Sequence, residues 1–221
     1  MDTGQVIREV RCSEPDGEII RSVRLCHLTI EKLKFFWMKL KDFDVLFNDF
    51  VRGDFAAFVD HFVRQAGNEL VPTGLIWEVD DVGIFLLNDI RISHSGMAHF
   101  AFWDRRFSGR EALCREMIEY VIEEYELEKI SVQVPVYANH TLQAVERIGF
   151  VREGRLRKEI LYKGKWFDVN TYSILRGESF ELGRKSIEQV CFKCGGSYLG
   201  GKDGTESTKR GAEESGHSIR E

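Results

Sequence analysis

The stretch from Phe102 to Met117 reads FWDRRFSGREALCREM. Arg105, Arg106 and Arg110 surround the point where an apolar, aromatic run ends at Trp103 and a helical pattern begins. A helix N-terminus already carries partial positive charge, so cations there do not stabilise the helix itself. An anion would suit it: first-turn N–H groups lack partners within the helix and point beyond the strand end. Ser108-Gly109-Arg110-Glu111 matches the S-x-x-E capping box, in which Ser108 accepts from the N–H three residues on and Glu111 reaches back. Gly109 allows close approach, and the three arginines offer charge-assisted bonds to a phosphate. A capped surface helix with incidental arginines is the competing reading.

The elements that must position this stretch follow from apolar spacing. Residues 1–20 are polar and mixed, and read as an N-terminal arm. Ser22–Thr29 alternates and reads as a strand. Glu31 to about Phe47 is predicted helical, as is Asp54–Gln65, with apolar residues at 55, 58, 59, 62 and 63 and Asp54 as N-cap. Strands follow at Gly74–Val79, Val82–Ile90 and Met97–Trp103, the first two joined by an Asp80-Asp81 turn. A helix spans Ser108 to about Leu127, a strand Ile130–Val136, and a short helix Asn139–Ile148 capped by Gly149. Val151–Tyr162 and Trp166–Arg176 form a hairpin across Lys163-Gly164. The order β-α-α-β-β-β-α-β-α-β-β predicts an α/β domain over 21–178. Residues 179–221 read as a flexible tail, disordered from about 195, where Gly, Ser and charge leave too little to bury.

At 221 residues with 43% hydrophobic content, the chain can build one sizeable core. A net charge of -5 argues against a nucleic-acid binder. Five cysteines, odd in number and mostly scattered, suit free thiols in a reducing compartment. No signal-type or membrane-spanning apolar run is present, so a soluble, cytoplasmic protein is expected. Cys191-Phe-Lys-Cys194 resembles half of a zinc knuckle, but only His217 follows, and no metal site is expected. Arg152, Arg155, Arg157 and Lys158 give the hairpin a basic edge, which is either a solvated face or a grip on an acidic partner.

Three features together resemble the GCN5-related N-acetyltransferases over about residues 20–178. They are the element order, the strand-turn-helix at WDRRFSGREAL, and the block NHTLQAVERIGFVREGRLRKEILYKGKWFDVNTYSILRGE from Asn139 to Glu178. The last is similar to the branch that acetylates ribosomal-protein N-termini. The resemblance implies an acyl-CoA N-acyltransferase fold: a mixed, mostly antiparallel sheet whose central parallel strands, Met97–Trp103 and Ile130–Val136, splay apart around acetyl-CoA, with flanking helices. It implies coenzyme contacts at Phe102, Trp103, Arg106, Phe107, Ser108, Gly109 and Arg110, with Asn139 as a further contact. The family's pyrophosphate loop usually reads Arg/Gln-x-x-Gly-x-Gly/Ala. Aligning Glu111-Ala112 with it puts Phe107 on the middle glycine and Asp104 on the leading position. A shifted frame gives Arg106-x-x-Gly109 but puts Glu111 on the last small position.

Acetyl transfer to an amine needs a proton acceptor, donors for an oxyanion, and a route for the leaving thiolate. Many relatives use a tyrosine four residues before the Gly-Phe pair, where this chain has Val145. His99, mid-strand beside the implied acetyl site, is a candidate base. Tyr137, at the end of the second splayed strand, is a candidate acid, and Glu78 is a third candidate. Core or surface roles compete for each. Direct transfer from acetyl-CoA to an amine, either a protein N-terminus or a small molecule, is the expected reaction. A non-catalytic CoA-binding or protein-interaction module on the same fold is the alternative. No membrane partner is expected, and a homodimer stays open.

Overall fold

The computed structural model describes residues 6–14, 17–43, 46–66 and 69–178. The tail from 179 on, including the Cys191–Cys194 pair, lies outside the described residues.

Eight strands form one sheet. In chain order they are β1 (Val6–Glu14), β2 (Gly17–Leu25), β5 (Gly74–Val79), β6 (Gly83–Arg91), β7 (Ser95–Phe102), β8 (Lys129–Pro135), β9 (Val151–Tyr162) and β10 (Lys165–Leu175). Their spatial order is β1-β2-β5-β6-β7-β8-β10-β9, and only β7 and β8 pair in parallel. A separate two-stranded ribbon joins β3 (Val63–Ala66) to β4 (Glu69–Pro72). Helices α1 (Ile30–Leu40) and α2 (Phe55–Asp60) pack on one face, with Leu33, Phe36, Leu40 and Phe58 against Ile76, Ile84 and Leu86. Helices α3 (Arg110–Glu124) and α4 (Asn139–Ile148) pack on the other, with Leu113, Met117, Val121 and Ile148 against Trp77, Phe85 and Leu87. The alternation along β6 supplies both faces: even-numbered residues 84 and 86 face α1, odd-numbered 85 and 87 face α3.

Side-chain chemistry fixes the element ends. Thr29 Oγ1 accepts from Lys32 N and starts α1. Asp54 Oδ1 accepts from Ala56 N and Ala57 N and starts α2, as its sequence position predicts. Gly149, at φ 115°, ends α4 in the left-handed conformation. Lys163 and Gly164, both at positive φ, make the β9–β10 turn.

Four expectations need correction. Much of the predicted arm is strand: β1 pairs with β2, and Val10 and Cys12 are buried against α3. Its apolar residues are too sparse to stand out from its charged ones. The first helix ends at Leu40, because Phe43 and Phe47 pack from the following loop rather than from further turns. The second helix ends at Asp60. Thr73 then holds the chain by donating from Oγ1 to the His61 carbonyl and from N to the Phe62 carbonyl, and Phe62 fills the same core from the turn after α2 and Val63 from β3. The Ser108–Glu111 capping box does not form. Gly109 occupies the N-cap with no side-chain cap bond, and Glu111 instead pairs with Arg147 at 2.7 Å.

Candidate active site

Parallel pairing of β7 and β8 runs only from Ser95↔Lys129 to Met97↔Ser131. Beyond Met97 the two strands diverge, while each stays paired on its outer side, β7 to β6 and β8 to β10. A cavity of about 370 Å³ opens in the gap, lined by Ala98–Ala101 on one side and Val132–Pro135 on the other. The inner edge of β7 therefore presents main-chain groups to a cavity, and enclosed backbone groups require partners. An extended ligand carrying amides meets that need.

The cavity reaches both faces of the sheet. On the α4 side it touches Ala138, Thr141 and Val145. On the α1–α2 side it is walled by Leu40, Phe47, Val51, Phe58 and Phe62. The connection between α1 and α2 is fastened across it. Asp49 accepts from Lys163 N at 2.8 Å and Gly164 N at 2.7 Å, its own N–H donates to the Leu161 carbonyl, and Arg52 lies 4.8 Å from the Tyr162 ring centre. Those two N–H bonds, and then Arg52, hold the Asp49 carboxyl below its ordinary value.

His99 projects into this cavity, on the α1–α2 side of the sheet, opposite Leu86. Its Nε2 lies 3.2 Å from Asn88 Oδ1. With that oxygen accepting, Nε2 carries the proton and Nδ1 is the basic nitrogen. Water reaches the ring, yet protein atoms crowd it closely enough that desolvation dominates and lowers its pKa. The nearby His61 lowers it further, and Asp89 opposes both. His61, which sequence reasoning missed, lines the same cavity from the end of α2. Asn48, Asn88, Gln133 and Thr141 also line it and were missed. Their segments are far apart in the chain, and no local motif marks them.

Tyr137 reaches the cavity too, stacked 4.1 Å from the Tyr162 ring and set edge-on to Phe167. Val145 lines the wall where relatives were expected to have tyrosine. Glu78 does not join them. It lies on β5 in an ion pair with Lys32, outside the cavity wall. Cys114 is buried, and burial raises its thiol pKa well above the ordinary range, so it packs rather than attacks.

The helix start at α3 divides the predicted coenzyme contacts. Leu113 N to the Gly109 carbonyl is the first helical bond, so the amides of residues 110–112 have no partner within the helix. Arg106 projects outward, its side chain 95% exposed. Asn139 is exposed at the first turn of α4. Three side chains turn inward instead. Phe107 is only 2% exposed and packs on Phe102, with the Arg21 guanidinium 5.5 Å from its ring centre. Trp103 packs near Phe35 and Phe36 and donates from Nε1 to the Asp81 carbonyl. The large aromatics at these positions fill core space on either face of the sheet.

Gly109 has a different neighbour from the one its motif suggested. A Cβ there would lie 2.5 Å from Cys12 Cβ and 2.9 Å from the Phe107 ring, so the glycine admits β1. The arginines also have internal partners. Asp104 Oδ1 accepts from Arg106 N, and its carbonyl accepts from Arg110 Nη2, while Arg105 lies over Phe43. The Arg106 N–H bond, ahead of the guanidinium charge, keeps the Asp104 carboxyl ionised below its ordinary range. Along the hairpin's basic edge, Arg155 pairs with Asp168 and Arg152 with Asn170. Among the described residues no cluster of three or more metal-binding side chains occurs, and no helix is long and apolar enough to cross a membrane.

No family model matches the chain. A putative ribosomal N-acetyltransferase, YdaF of Bacillus subtilis, is 29% identical over 112 residues, covering 49% of this chain and 61% of that protein. The prophage-derived uncharacterized N-acetyltransferase YokL of the same organism is 34% identical over 76 residues, covering 33% of this chain and 42% of that one. The matched segments thus span less than two thirds of either relative. Among solved structures, a spermidine N-acetyltransferase from Vibrio cholerae in complex with CoA and spermine superposes with a TM-score of 0.56 at 21% identity, over 72% of this chain and 98% of that one. An acetyltransferase of the GNAT family from Bacillus anthracis gives 0.54 at 16% identity, over 77% and 100%. At these identities the superpositions establish the fold.

Proposed function

We infer, from the GCN5-related N-acetyltransferase fold of this chain, that it moves an acetyl group from acetyl-CoA directly to an amine. The observation that carries the reading is the β7–β8 gap, a cavity bordered by unpaired strand edges and holding His99. Acetyl-CoA would supply the activated acyl group as a thioester. The β7 edge beyond Met97 would pair with the amides of its pantetheine arm. The amides of residues 110–112, with Arg106, would face its pyrophosphate. Asn139 would flank the arm from α4. Phe102, Trp103 and Phe107 would shape this end by packing rather than by touching the coenzyme.

His99 would act as base. Its lowered pKa keeps it neutral near pH 7, and the Asn88 bond directs Nδ1 as proton acceptor. The amine nitrogen forms a bond to the acetyl carbonyl carbon, its proton passes to His99, and the C–S bond breaks to release the thiolate. Tyr137 would supply the proton for that thiolate; a thiol's ordinary pKa near ~8.5 makes this the least demanding step. Glu78, held by Lys32, has no part in it.

Isothermal titration with acetyl-CoA, followed by thiol-release assays with mixed amines, tests the reading. Saturable binding and amine-dependent thiol release are expected. Absence of coenzyme binding would overturn the reading.

A further inference from the structure

We propose that the acceptor is a small, apolar primary monoamine, bound with its hydrocarbon body between α1, α2 and β6 and its nitrogen toward His99. The proposal rests on the acetyl-transfer reading above and specifies its second substrate.

On the α1–α2 side the cavity wall is hydrocarbon: Leu40, Phe47, Val51, Phe58, Phe62 and Leu86. Polar groups gather at Asn48, His61, Asn88 and His99, all of them amides or imidazoles. No carboxylate lines the cavity among the described residues. A polyamine carries ammonium groups beyond the one that reacts, and each would lose its hydration with no lining carboxylate to replace it. An apolar monoamine loses only one. That loss helps the chemistry, because moving an ammonium into apolar surroundings lowers its pKa and favours the neutral amine that must attack. His99 is placed to take the proton. The carboxylate-lined wall that a polyamine needs is replaced here by phenylalanine.

One flank of the acceptor wall is held in place. The α1–α2 connection is fastened to the β9–β10 turn through Asp49 on one flank, with Arg52 packed against Tyr162. Leu46, Phe47, Asn48 and Ile160, neighbours in sequence of the fastened residues, line the cavity. A free-standing amine fits within it. A protein N-terminus would have to bring its following residues into the same space. These constraints favour a phenylalkyl- or alkylamine over a polypeptide.

The test is acetylation by the full chain of 2-phenylethylamine, hexylamine, spermidine and a short peptide with a free N-terminus, read as kcat/KM. Burial of a side-chain-sized apolar group predicts at least about tenfold preference for the two apolar amines over spermidine and the peptide. Spermidine or the peptide matching or exceeding them overturns the proposal, as does coenzyme binding with none of the four acetylated. Failure to bind acetyl-CoA at all instead removes the acetyl-transfer reading beneath it. One variant probes the wall while keeping its hydrogen bonds. Asn48 Oδ1 accepts from Phe50 N and Val51 N, bonds that an aspartate keeps. Asn48→Asp is expected to shift the spermidine to phenylethylamine ratio toward spermidine by about fivefold or more. An unchanged ratio, with normal coenzyme affinity, overturns the placement of the acceptor.

Discussion

The two ends of the β7–β8 cavity are built in different ways. The proposed coenzyme end draws on one nearly continuous stretch, from Met97 on β7 to Ala112 on α3, with Asn139 added from α4. The proposed acceptor end draws on short pieces around 40–51, 58–62, 84–88 and 160, and shares 98–101 of β7 with the coenzyme end. The coenzyme end uses main-chain groups, so its geometry depends on strand divergence and a helix start. The acceptor end uses side chains, so its chemistry depends on which residues segments far apart in the chain deliver. Main-chain sites can keep one ligand while side-chain sites change theirs. The two ends should therefore respond separately to mutation.

The largest separation is expected from His99. Replacing it with alanine should lower kcat by about 100-fold or more, in the range of lost general-base catalysis, with coenzyme affinity unchanged by titration calorimetry. The wild-type pH profile should carry the same signature. With His99 as the proposed base, activity requires the neutral imidazole, so it is retained above the His99 pKa and lost as pH falls through it. Since desolvation and His61 lower that pKa, the acid limb should lie below 6.5. A drop in coenzyme affinity with unchanged kcat would join the two proposed ends.

Gly109 tests the comparison from the coenzyme side. A side chain there must displace Cys12, so Gly109→Ala should destabilise the fold by about 1–3 kcal/mol in urea unfolding, as overpacked cores do. Cys12→Gly in the same chain should recover part of the loss, a coupling between contacting residues. Equal coenzyme binding by the double variant and wild type would show that this glycine serves β1 rather than the pyrophosphate. Additive losses would return it to the coenzyme.

Legibility followed the same division. The WDRRFSGREAL stretch could be read because strand, turn and helix are local, and the Asp54 and Gly149 caps because each acts within a few residues. Phe107 was read as a loop contact because an aromatic at a turn carries no mark of which way it faces. Only the arrival of Arg21 and Phe102 shows that it is core. His61 was passed over because its significance lies in a neighbour 38 positions away. The N-terminal strand was missed for a related reason. Val10 and Cys12 alternate with exposed charged residues, and the partner that buries them, α3, lies about a hundred residues further on.

A smaller effect is expected where the acceptor end is fastened. Asp49→Ala removes the acceptor for Lys163 N and Gly164 N without opening any core. KM for the amine should rise several-fold, with melting temperature and coenzyme affinity close to wild type. The fastening should also resist acid. Because the Asp49 carboxyl is held below 3.8, it stays ionised as pH falls to that value and releases the turn only below it. Amide exchange at Lys163 and Gly164, followed against pH, reports this directly. Loosening already at pH 5 would mean that the carboxylate does not hold the turn.

The smallest effect is expected at the feature with the plainest charge. Arg106 is almost fully exposed and already shares Asp104, so a phosphate would gain a screened, mobile cation rather than a desolvated one. Arg106→Ala should weaken acetyl-CoA binding by only about two- to fivefold, in line with exposed ion pairs. The difference should shrink as salt rises from 50 to 500 mM, since the Debye length falls from about 14 Å to about 4 Å over that range. The main-chain amides of residues 110–112 would remain, and with them most of the affinity. A loss of a hundredfold, insensitive to salt, would place Arg106 in a closed site and shift the weight of coenzyme recognition from backbone to side chains. The contrast between a main-chain end and a side-chain end would then no longer describe this cavity.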